Sequence, residues 1–111
     1  MKSNDEVRVL VGEPWDFSSP EGDNLFSGRI IKVMSTRFGE ALLIKVRRPF
    51  TIDGSEVSYL LAMHRHVNEV TWRHITALEV PIDQLDSVLQ NDDVNTAALK
   101  IVVIGTIALA D

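Results

Sequence analysis

The chain has no cysteine among its 111 residues. That excludes a disulfide framework, a thiol nucleophile, an iron–sulfur cluster and a cysteine zinc site. Aromatic residues make up only 6% of the chain, so a surface for stacking successive bases has few side chains to draw on. The six glycines are scattered: no P-loop or dinucleotide fingerprint groups them, and no Gly-x-Ser-x-Gly elbow frames a serine. Long apolar runs are missing too. The most apolar stretch, residues 97–110, is interrupted by Lys100, whereas a spanning helix takes about 20 apolar residues. The opening Met1-Lys2-Ser3-Asn4-Asp5-Glu6 is polar and acidic, unlike a secretory signal. A cytoplasmic protein with no membrane partner is the expectation.

What is present is the composition of one globular domain. The chain is 45% hydrophobic and 24% charged, which excludes a disordered acidic tail. Its length fits a single β-rich domain over residues 1–111 with one real core. The net charge of -5 gives no whole-chain footprint for nucleic acid. The distribution is uneven. Residues 1–28 hold six acids and two bases, and residues 79–111 hold six acids and one base. Between them, residues 29–48 carry Arg29, Lys32, Arg37, Lys45, Arg47 and Arg48 against Glu40 alone. The chain is an acidic body with a basic middle.

Short β-rich runs separated by turn residues dominate the pattern. Strands are expected at Val7–Val11, Phe26–Met34, Ala41–Arg48, Val57–Met63, Leu78–Ile82 and Lys100–Leu109, the last buried on both faces. Asp53-Gly54 between β formers is a hairpin cue, because a type I′ turn needs positive φ at both central residues. Residues 64–77 show no regular period. Residues 83–90 predict a short helix with Asp83 as its N-cap. Together these imply a mainly β fold: a small antiparallel β-barrel or sandwich of about seven strands with one short helix. A register pairing Ile31 with Ile44 and Val33 with Leu42 would gather Lys32, Lys45 and Arg47 into a basic stripe on one sheet face.

Few residues suggest chemistry. His64 and His66 lie two apart, so on a strand they face one side, and His74 follows eight residues later. A zinc or a two-histidine nuclease would need these to converge, with Arg65 or Arg73 as the cation. No general base frames them, and no enzyme activity, metal or cofactor is expected. The alternative reading is a barrel that binds single-stranded nucleic acid, or another protein, through Arg29, Lys32, Lys45 and Arg47, with Phe26 or Phe38 as stacking platforms. Trp72 is expected in a loop packed over one end of the barrel. Trp15 and Phe17 are expected to turn inward as a plug after Gly12 and Pro14 end the first strand.

Gly12-Glu13-Pro14-Trp15-Asp16-Phe17, followed by Ser19-Pro20-Glu21-Gly22 and Gly28-Arg29-Ile30, resembles the N-terminal pattern of small bacterial immunity proteins of contact-dependent inhibition systems. The resemblance implies a short, cytosolic, non-catalytic protein that binds and neutralises a cognate toxin domain by covering its active site or substrate surface. It transfers no binding residue. Toxin nucleases must approach phosphates and are commonly basic, so an acidic surface would meet one by electrostatic complementarity. The expected contact residues are Glu13, Asp16, Glu21 and Asp23 in the first third, and Asp83, Asp86, Asp92 and Asp93 around the helix. Monomer and dimer both remain open.

Overall fold

Val7, Val9 and Val11 alternate with Arg8 and Leu10, so three valines share one face of β1 (Glu6–Glu13), and that face is buried. The other barrel strands are β4 (Leu25–Thr36), β5 (Gly39–Ile52), β6 (Ser55–His64), β7 (Ile75–Glu79) and β8 (Ile101–Leu109), and runs within β5 and β6 are buried on both faces. A computed structural model describes residues 1–36, 39–65, 71–92 and 94–110. The six strands close into an antiparallel barrel in the order β1-β4-β5-β6-β7-β8, with β8 pairing back onto β1. The loop after β1 carries a separate small hairpin of β2 (Ser18–Ser19) and β3 (Gly22–Asp23). Among the described residues, no helix is long and apolar enough to cross a membrane.

Closure depends on two close backbone approaches. Gly28 sits where a Cβ would lie 2.6 Å from Ile44 Cγ2 and 2.7 Å from the Lys45 carbonyl. At Gly105, a Cβ would collide with the carbonyl oxygen of Leu10 on β1. Side chains larger than hydrogen would force these strands apart. The β5–β6 turn is the expected one, with Asp53 at φ 51° and Gly54 at φ 80°, both positive as type I′ requires.

The barrel interior holds one core, built from inward residues such as Val9, Ile30, Leu42, Ile44, Leu60 and Ile107. Phe17, Phe26 and Phe50 meet there, with ring centroids 4.9 to 5.8 Å apart. Trp72, between β6 and β7, packs against this core, and its carbonyl accepts the Ile107 N–H at 2.9 Å. A second core lies outside the barrel wall. Met34, Leu43, Leu61 and Leu78 point outward from β4, β5, β6 and β7 and are covered by Val80, Val88 and Leu99. The covering strap is the stretch between β7 and β8. It contains a 3-10 turn (Ile82–Gln84), the helix α1 (Leu85–Gln90) and a second 3-10 turn (Thr96–Ala98). Burial of β6 on both faces therefore comes from two different cores.

Several expectations are corrected. Val33 pairs with Leu42 as expected, but Ile44 pairs with Ile30, because a bulge at Ile31 shifts the register. Asp83 does not cap α1: it lies in the preceding 3-10 turn, and the cap position is Gln84, with no side-chain hydrogen bond. The short strand expected at Leu78–Ile82 is Ile75–Glu79, because Pro81 has no N–H for a ladder and opens the 3-10 turn instead. β8 is not buried along both faces: Val102, Val103 and Ile107 are buried, while Ile101, Ala108 and Leu109 are exposed.

Candidate functional site

The two described histidines, His64 and His74, have separate surroundings. The His64 ring is stacked on Trp72, with centroids 3.8 Å apart and planes 22° apart, and its Nδ1 is buried without a hydrogen-bond partner among the described residues. His74 is exposed on the outer surface, and its carbonyl accepts the Arg65 N–H at 2.8 Å. His66 lies outside the described residues. Among the described residues, no group of three or more His, Asp or Glu could hold a metal ion.

The basic residues are divided among separate tasks. Lys32 reaches under the strap: its Nζ donates to the carbonyls of Val88 at 3.2 Å and Leu89 at 2.9 Å, and pairs with Asp92 at 2.9 Å. A cation at the last carbonyls of a helix satisfies orphan acceptors and complements its dipole. Arg29 pairs with Glu6 across the β1–β4 ladder at 2.8 Å. Lys45 and Arg47 are exposed and share an open groove of about 420 Å³ with Glu6 and Arg29. No stripe of four free cations results. Phe26 cannot stack on a base, because it is fully buried in the interior core, and Phe38 lies outside the described residues.

The acidic candidates also separate. Glu21 is spent locally, since its Oε2 accepts the Ser27 N–H at 2.7 Å. Asp23 is exposed on β3. Asp16 lines a groove of about 470 Å³ with Asp53 and Ile101. Glu13 lines another, of about 380 Å³, with Trp15, Arg65 and Arg73. Asp92 is tied to Lys32, and Asp93 lies outside the described residues. Asp83 and Asp86 remain exposed on the outer side of the strap.

Two exposed apolar features accompany these charges. On the strap, Ile82 is 74% and Leu89 40% exposed. Ile82 belongs to the 3-10 turn and Leu89 to α1, where Asp86 lies three residues before it, while Leu85 and Val88 face the second core. Ile82, Asp83, Asp86 and Leu89 are thus all turned to solvent. Across the barrel, Trp15 is 83% exposed, against the expectation that it turns inward. The reason is a turn at residues 14–17, closed by the Phe17 N–H on the Pro14 carbonyl at 3.2 Å. It puts Trp15 and Asp16 at the outer corner, while Phe17 enters the core alone. Leu10, 56% exposed, and Ile104 line the groove beside Trp15.

Leu10 and Ile104 escape a reading based on residue type alone. A signal was available for Leu10: it shares a strand face with Arg8, two residues away, and that face is bare. No family model, curated protein or solved structure matches this chain.

Proposed function

We propose that this chain is a binding protein with no turnover of its own, which docks a basic protein partner on the outer face of the strap. The partner we propose is a toxin domain, neutralised by occlusion. The observation that carries the reading is the exposed set Ile82, Asp83, Asp86 and Leu89. It interleaves apolar and acidic side chains on one exposed segment, a mixture of the two contact types that protein interfaces use. Charge on this segment would steer a basic partner and suppress wrong ones, acting more on association rate than on final affinity. The second core beneath the strap supplies the rigid support that a binding face needs. The toxin assignment rests on the N-terminal resemblance together with the acid excess.

The test uses the tagged chain and an Asp83→Lys/Asp86→Lys variant to capture proteins from the source cells. The captured partner is then expressed with and without the chain. The expected result is a partner that arrests growth only when the chain is absent. Its association with the variant should be at least about tenfold slower at low salt. A partner harmless to growth, recovery of RNA or DNA alone, or an unchanged association rate would each overturn the proposal.

A further inference from the structure

The strap face lies over β5 and β6. The Trp15 groove lies on β1 and β8, which stand across the barrel from them. This second face has features the first lacks. It carries a protruding indole, and the groove next to it is floored by Leu10 and Ile104. It also carries both signs of charge. Glu13, Arg65 and Arg73 all line the groove, while the rest of the chain is predominantly acidic. Among the described residues, no carboxylate stands within ion-pair distance of Arg65 or Arg73, and no Lys or Arg stands within that distance of Glu13. The charges on this face therefore do not neutralise one another within one copy.

We infer that a second copy of this chain covers this face, making a two-fold dimer through Trp15. A two-fold interface is isologous: the same patch meets itself, so it must hold a feature and that feature's complement. Here the projecting Trp15 of one copy fits over the Leu10–Ile104 groove of the other, and Glu13 of each copy faces Arg73 of the opposite one. A basic partner would meet Arg65 and Arg73 unfavourably, and an acidic partner would meet Glu13 and Asp16. A second copy answers both signs at once. A central tryptophan sheltered by a charged rim is the arrangement in which one side chain dominates association. Because the strap faces outward on the far side of each barrel, the dimer would leave both strap faces free.

The experiment is sedimentation velocity on the full chain, with concentrations spanning about 1 to 100 µM. The expected result is a species of twice the 12.4 kDa chain mass that dissociates on dilution. Trp15→Ala should weaken the dimer by at least about 30-fold, with its β-sheet circular dichroism unchanged because Trp15 packs on nothing in the core. Glu13→Arg and Arg73→Glu should each weaken it, and the double variant should recover much of the loss. A chain that stays monomeric up to the highest concentration overturns the inference. So does a Trp15→Ala dimer as tight as the parent, or a double charge swap as weak as the sum of its parts.

Discussion

The two sides of this barrel handle the same problem differently. On β5 and β6, the residues that alternate outward include Leu43 and Leu61, and both are fully buried beneath Val88 and its neighbours in the strap. On β1 and β8, the outward residues include Leu10 and Ala108, both exposed, and Thr106, whose hydroxyl donates to the Arg73 carbonyl at 2.8 Å; among the described residues, no strand or helix covers them. The covered wall is held by side-chain burial against a segment that folds back over it. The bare wall is held by backbone proximity, with Gly105 nested against the Leu10 carbonyl. An outward apolar residue is thus structural on one side and available for contact on the other. What decides between them is residues 80–99, which lead into β8 yet fold back over β5 and β6.

That contrast can be broken most forcefully at Gly105. Gly105→Ala puts a methyl group into the Leu10 carbonyl and must open the β1–β8 seam. The expected loss is about 3 kcal/mol or more in chemical denaturation, at the upper end of what overpacking costs. A near-neutral result would mean that the bare wall has slack, and the argument from backbone proximity would fail. The covered wall is tested by Leu61→Ala, which should cost between about 2 and 3 kcal/mol because a filled outer core is left with a cavity. Leu10→Ala, the same deletion on the bare wall, should cost less than about 0.5 kcal/mol. Equal losses at the two leucines would show that the bare wall is covered after all.

Much of the barrel was legible in local pattern. Val7-Arg8-Val9-Leu10-Val11 has a two-residue period, and Asp53-Gly54 has the chemistry of its turn, so strand existence and the β5–β6 hairpin follow directly. The bulge at Ile31 was not legible, because Ile30 and Ile31 are equally apolar and either could face the core. That one-residue slip decided which cations line up. Lys32 looked like a surface charge for the same reason: its partners, Val88, Leu89 and Asp92, lie more than fifty residues later. Trp15 and Phe17 differ only in which lies at the corner of a turn, and residue type does not record that. The two-sided apolar character of β6 was visible, but whether an outer core or a second copy buried its outward face was not.

Lys32 gives the next, smaller test of the covered wall. Its side chain is 22% exposed and Asp92 is 54% exposed, so solvent screens the ion pair, and the hydrogen bonds to the helix carbonyls carry more of the effect. Lys32→Met keeps the aliphatic stem and removes the charge. The expected cost is about 1 kcal/mol, and it should be local. Amide hydrogen exchange in α1 should speed up by more than it does in β1 or β4. Uniform acceleration across the molecule would mean that the strap and barrel unfold as one unit and that Lys32 is no separate clamp.

The smallest effect is expected at Trp15, and its dependence on concentration is the informative part. At high dilution, where any association is lost, Trp15→Ala should leave unfolding free energy within about 0.5 kcal/mol of the parent, as for an exposed side chain outside the core. At high protein concentration the parent should gain stability, because a partner that binds only the folded form shifts the equilibrium by mass action. The variant should not gain. The two denaturation curves would then coincide when dilute and separate as concentration rises. A variant that is already weaker when dilute would instead mean that the indole supports its own barrel, through Leu10 and Ile104. The bare wall would then hold itself together with side chains much as the covered wall does.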